Sequence, residues 1–166
     1  MVQLIRLPKG RLEAFESSGS IMCGPHTADW MLRTQGEQLD SAARPSLMRI
    51  LLMGVGPWRM VKMLRSRFPK ARILDMSSAP IEYLHASIDL GLPVAIFVKG
   101  KPMHWLSVGG YDVEKKFFYV FDSRQHKYGK MSEDPTLPIG NAQMSYDELL
   151  SVWRGVPFFR NLAVVL

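Results

Sequence analysis

"SIMCGPHTADWML", residues 20–32, decides how this chain is read. It holds Cys23, the one cysteine among 166 residues, followed at once by Gly24, Pro25 and a run with helical spacing. Proline suits a first helical turn, where its missing N–H has no intrahelical acceptor to lose. The stretch therefore predicts a helix with Pro25 in its first turn, running to about Arg33 and stopped by the "GEQ" that follows. A cysteine at such a place feels the positive end of the helix dipole, which favours the thiolate. The thiolate is the nucleophilic form. Backbone amides at the same helix end can hold a developing oxyanion. Cys23 is accordingly read as a nucleophile.

A thiolate catalyst needs a base, and the base needs an orienting group. Four histidines are available. His26 lies on the same predicted helix, beside the thiol rather than across from it, and reads as structural or substrate-adjacent. His85 falls in a predicted helix and His126 in a polar loop. His104 falls in a predicted strand, "PMHWLSVGGY" (102–111), and the next predicted strand, "KFFYVFDS" (116–123), ends with Asp122. The charged link "DVEKK" (112–116) makes the two a hairpin. With the hairpin centred at Val113, His104 and Asp122 each lie nine residues away and face each other. Directly opposed residues are ~4.5–5.5 Å apart at Cβ, a distance at which a carboxylate can orient an imidazole.

The rest of the chain supplies helices and then strands. Residues 44–56, 57–68 and 79–91 carry apolar residues at helical spacing, and all three begin at or near a proline. "SYDELLSVWRG" (145–155) has Ser145 and Glu148 three residues apart, a capping-box signal for a further helix. Residues 71–76, 93–98 and 158–166 read as extended, and 124–143 as a long polar loop. A helical first half before an antiparallel sheet is an α+β arrangement. The length fits one domain, residues 1–166.

Composition narrows the classes further. Hydrophobic residues make up 47% and charged residues 22%, the balance of a soluble globular protein. No apolar run approaches the ~20 residues that span a bilayer. The N-terminus lacks the pattern of a secretory signal. A lone cysteine forms no internal disulfide, so a reducing compartment is the simpler setting. The net charge is +6, and "WRMVKMLRSRFPKAR" (58–72) is the densest basic run. A solvated helix face accounts for such a run, and so does a surface for an acidic partner. No nucleic-acid motif accompanies it, so no nucleic acid is required as a partner. One cysteine and four scattered histidines show no metal-ligand spacing, and no phosphate-binding glycine pattern is present. No metal or organic cofactor is expected. Gly109 and Gly110 read as close packing within the sheet, and the eleven methionines as core filler.

"CGPHTADWML", "GLPVAIFVKGKPMHWLSVGGYD" and "FYVFDS", in that order, resemble the papain-like cysteine peptidases. The branch they are most similar to includes the bacteriocin-processing, double-glycine leader peptidases. Cys23 precedes His104 by 81 residues and His104 precedes Asp122 by 18, spacings that suit the branch. The tail "MSYDELLSVWRG … NLAVVL" resembles its closing helix and strand, so the likeness runs from about residue 15 to the end.

The resemblance implies an α+β, papain-like fold. A helical part carrying the Cys23 helix packs on a small antiparallel sheet carrying His104 and Asp122. It implies a Cys23 nucleophile, His104 as general base and acid, and Asp122 as its orienting group. The family's oxyanion-hole Gln, about six residues before the cysteine, is replaced by "FESSGSIMC", with Ser17 and Ser18 and no Gln. Ser17, Ser18, Gly24 and Trp105 are the candidates for oxyanion and substrate contacts. The implied reaction is hydrolysis of a protein substrate after Gly-Gly, in a free-standing bacterial peptidase. Size and basicity also suit an effector toxin. It would be made in the cytoplasm, delivered into a competing cell by a non-Sec system, and neutralised by an acidic immunity protein that plugs the cleft. Two alternatives stay open: acyl transfer of the deamidase or transglutaminase type on a target protein, and a non-catalytic leader-binding module.

Overall fold

The computed structural model of the protein describes residues 1–5, 22–43, 54–100, 103–123, 130–131, 141–154, 156 and 160–166. Strand β1 (Val2–Leu4) comes first, then helix α1 (Cys23–Thr34) and a single 3-10 turn (Ser41–Ala43). Helix α2 (Pro57–Leu64), strand β2 (Arg72–Asp75) and helix α3 (Pro80–Asp89) follow. The second half holds β3 (Val94–Val98), β4 (His104–Asp112), β5 (Phe117–Phe121), β6 (Lys130–Met131), β7 (Asn141–Ser145), α4 (Tyr146–Arg154) and β8 (Leu162–Val165). The architecture is α+β, as the sequence predicted.

Helix starts follow local chemistry. Pro57 and Pro80 open α2 and α3 at their first turns. The α4 capping box forms as expected: the Glu148 amide donates to Ser145 Oγ at 3.2 Å, and the Ser145 amide donates back to Glu148 Oε2 at 2.8 Å.

Among the described residues the strands form one sheet, ordered β2-β8-β3-β4-β5-β7-β6, with every pair antiparallel. The β1 strand pairs with β4 at Gly110 to Asp112, on the stretch beyond the last β3 pair at Val108. Helices cover both faces. On one, Ala28, Trp30, Met31 and Leu32 of α1 and Met60, Met63 and Leu64 of α2 pack with Ala95, Phe97, Trp105, Phe121 and Val164. On the other, Leu84 and Ile88 of α3 and Leu149 and Trp153 of α4 pack with Val94, Ile96, Val98, Leu106, Val108 and Val120. Covered on both sides, β3 and β4 are buried at every residue. That is why "VAIFV" reads as an unbroken apolar run rather than an alternating one.

Three expectations are corrected. The expected polar loop over 124–143 contains β6 and the first three residues of β7. The expected helix over 44–56 lies outside the described residues up to 53, and 54–56 are not helical; Gly54 has a φ of +60°. The β4–β5 hairpin is not centred on Val113. Asp112 pairs with Phe117, a bulge falls between Val108 and Gly110, and Ser107 pairs with Phe121. Asp122 thus follows the last paired residue, across from Leu106 and diagonal to His104 rather than opposite it.

Candidate active site

Cys23 is the first residue of α1 and is only 8% exposed. The first amides of a helix have no carbonyl one turn earlier to bond. Here they belong to Cys23 and Gly24, since Pro25 has none. Along α1, Cys23, Thr27 and Trp30 recur at the i, i+4, i+7 spacing of one helix face. Each of these three meets the sheet at the candidate site.

His104 opens β4, and its Nε2 bonds Asp122 Oδ1 at 2.6 Å, with neither side chain exposed. Diagonal neighbours across a strand pair remain within reach of long side chains, so the pair forms despite the shifted register. Burial is the largest influence on the His104 ring and opposes its charge. The hydrogen bonds to Asp122 and to Cys23, with the charges of both, outweigh it and raise the His104 pKa above its ordinary 6.5. The structure thus brings Cys23, His104 and Asp122 together.

The residues next to these three hold them in place. Gly24 packs against Val55 so closely that a Cβ on Gly24 would stand 2.6 Å from Val55 Cβ and 2.7 Å from its Cγ1. Trp105, next to His104, is buried, and its Nε1 donates to the Val55 carbonyl at 2.6 Å. The Thr27 hydroxyl donates to the Trp105 carbonyl at 3.4 Å. Phe121, next to Asp122, stacks on Trp30 with ring centroids 5.4 Å apart and planes 10° from parallel. Trp30 lies against Gly109, where any Cβ would collide with its ring. Gly109 therefore serves close packing, as the sequence suggested.

Among the candidate contact residues, Gly24 lies beside Cys23 and Trp105 is turned into the core. Ser17, Ser18 and His126 lie outside the described residues. His26 sits half-buried in the first turn of α1. His85 belongs to a different cluster: its Nε2 bonds the Tyr146 hydroxyl at 2.8 Å and its ring stacks on Tyr111 at 3.9 Å. Burial lowers the His85 pKa, against the opposing pull of Asp89 and Glu82. Sequence reasoning missed Val55, Thr27, Trp30 and Phe121 as positioning residues. The available signals were a single apolar residue between glycines in "GVGP" (54–57) and the i+4, i+7 spacing from Cys23.

No protein-family model matches this chain, and no curated protein matches it. Solved structures do. A chain from Bacillus anthracis, described as a "putative C39-like peptidase", superposes with a TM-score of 0.52 at 11% identity. The match covers 99% of this chain and 96% of that one. At that identity the likeness defines a shared fold, and it spans the whole α+β domain. No helix among the described residues is long and apolar enough to cross a membrane.

Proposed function

We propose that this protein is a cysteine peptidase that hydrolyses a protein substrate through Cys23, His104 and Asp122. One observation carries the reading: a fully buried His104–Asp122 pair, 2.6 Å long, whose ring also meets the one cysteine at the start of a helix. The shared fold with the Bacillus anthracis chain supports it.

On this reading Cys23, His104 and Asp122 act in sequence. Asp122 accepts from Nε2–H and so fixes the ring, which leaves Nδ1 to exchange a proton with the Cys23 thiol. The thiolate adds to the substrate carbonyl carbon, and the carbonyl oxygen becomes an oxyanion. Amides at the start of α1, with the helix dipole, lower its energy. Protonated His104 then gives its proton to the departing amine as the C–N bond breaks, leaving a thioester on Cys23. Water, deprotonated by His104, adds to the thioester and releases the acid and the thiol.

Our reading places the cut after Gly-Gly. Its support is the likeness of the Cys23, His104 and Asp122 motifs to those of the double-glycine leader peptidases.

The test is the rate of Cys23 alkylation by iodoacetamide against pH, in the wild type and in His104→Ala, followed by cleavage of a Gly-Gly peptide and its Ala-Ala analogue. Fast alkylation below neutral pH that is lost in the variant, with the Gly-Gly peptide cut first, is the expected result. An ordinary thiol profile near pKa ~8.5 in both proteins would sink the reading. Conversion of a Gln to Glu in place of a cut chain would move it to acyl transfer.

A further inference from the structure

The whole net charge of the chain sits on one short stretch. Residues 57–74 contain Arg59, Lys62, Arg65, Arg67, Lys70 and Arg72 and no acidic residue, and the remaining chain has fifteen residues of each sign. Helix α2 begins this stretch. It buries Pro57, Met60, Val61, Met63 and Leu64 against the core. Its solvent face is left with Trp58 and Lys62, and Arg65, the residue that caps its C-terminus, continues the stripe at i, i+4, i+7. The other three tryptophans are at most 1% exposed, and Trp58 is 69% exposed.

Local roles account for part of this charge. Cations near a helix C-terminus complement its dipole, Arg65 Nε donates to the Ala71 carbonyl at 2.9 Å, and Arg67 lies 3.8 Å from Glu37. None of these calls for an exposed tryptophan or for eighteen residues without an acid. The stripe also has a telling place. It starts three residues after Val55, which packs on Gly24 and accepts from Trp105. The Arg59 guanidinium donates to the Gly54 carbonyl at 3.0 Å, over the same turn. The aromatic and cationic face therefore begins three residues after the valine that packs beside Cys23 and bonds the neighbour of His104.

We propose that the Trp58–Lys62–Arg65 face of α2 is a docking surface for an acidic segment of the protein substrate, one that carries an apolar side chain and lies outside the bond to be cut. The word "substrate" rests on the peptidase reading; the surface does not. Seven helical residues rise about 10 Å, the length of about three extended residues. A short acidic peptide with one apolar anchor fits that span. Tryptophan is a frequent energetic anchor in interfaces, and clustered cations steer an acidic partner toward it.

The test uses the full chain carrying Cys23→Ala, so that binding is read without cleavage. The probe is a fluorescein-labelled peptide of alternating Asp and Glu around a central Leu, beside its Asn/Gln isostere. Anisotropy should show binding of the acidic peptide alone, weakening with salt. Trp58→Ala and Lys62→Glu should each weaken it by about tenfold or more, and Lys62→Arg should keep it. Equal binding by all variants would overturn the proposal. So would tighter binding of single-stranded DNA or phosphatidylserine vesicles, lost in the same variants, which would assign the face to that class.

A second arm uses the active chain. Joining the acidic segment to a cleavable peptide should lower KM with kcat unchanged, and Trp58→Ala should erase that gain. Binding without cleavage of any peptide would remove the peptidase reading and leave the surface. Cleavage with no gain from the acidic segment would do the reverse.

Discussion

Asp122→Ala strikes the His104 pair where neither side chain has any solvent exposure. The variant loses the carboxylate that meets Nε2 at 2.6 Å, and the ring stays buried. Removing one partner of a buried ion pair costs ~3–5 kcal/mol. A chain of 166 residues has an unfolding entropy of about 350 cal/mol/K near its midpoint, so the loss corresponds to ~9–14 °C in Tm. The pH dependence sharpens the test. In the wild type the folded His104 pKa is raised, so its contribution is full below 6.5 and is lost as pH rises through the raised value. Without Asp122, burial still opposes the charge and two of the raising influences are gone. The Tm deficit should therefore be wide at about pH 5 and narrow at about pH 8. Asp122→Asn can still accept from Nε2–H, so it should recover part of the Tm at neutral pH. It should lose the acid-side advantage as fully as Ala does. Calorimetry of the three proteins at both pH values reads this directly. Equal Tm values for wild type and Asp122→Ala at both would refute the argument, because no structural His–Asp pair would then exist.

Trp105→Phe keeps a ring in the core but drops the Nε1–H bond to the Val55 carbonyl; an unsatisfied buried carbonyl costs ~1–3 kcal/mol. Both Tm and kcat/KM should fall, and a fall in Tm alone would show that the 54–56 turn does not set the site. Gly109→Ala drives a methyl group into the Trp30 ring, and overpacking of this kind costs ~1–3 kcal/mol. Urea unfolding should show that loss, and a Trp30→Phe background should reduce it. Tyr111 donates to Asp89 at 2.6 Å, and this hydrogen bond, with burial, pushes its pKa up to about 12. Its contribution to stability is full below 10 and lost as pH rises through about 12, so Tyr111→Phe should flatten the alkaline stability loss in that window.

The α1 start was legible because it rests on local chemistry: one Gly-Pro after one cysteine fixes where the helix begins. The His104–Asp122 pairing was legible too, although the argument used for it was not the one the fold uses. A symmetric hairpin about Val113 would have placed the two residues opposite each other. The real pairing shifts at the bulge between Val108 and Gly110, and the contact survives because diagonal side chains reach one another. No residue type in "SVGGYD" marks a bulge apart from the glycines, which also serve Trp30 and β1. The β7 strand shows the opposite case. Ala142 and Met144 alternate inward as a strand should, but Asn141, Gln143 and Ser145 around them carry the composition of a loop. Three-residue β1 and two-residue β6 are too short for any period to show. They exist because β4 and β7 offer them an edge.

The positioning of the site was the least legible part, because it is carried by neighbours rather than by the candidate residues. The nucleophile and the base lie on different elements, so packing sets their separation. Gly24 touches Val55, and Trp105 donates to Val55. One turn of backbone, 54–56, is thereby gripped from the nucleophile side and from the base side at once. Trp30 on Phe121 makes the same kind of link between α1 and the residue before Asp122. Two struts between one helix and two adjacent strands leave the three side chains little freedom to separate. The Val55 strut has a further property. It runs directly into the first turn of α2, where Trp58 and Arg59 lie. The turn that spaces Cys23 from His104 is therefore continuous with the start of α2.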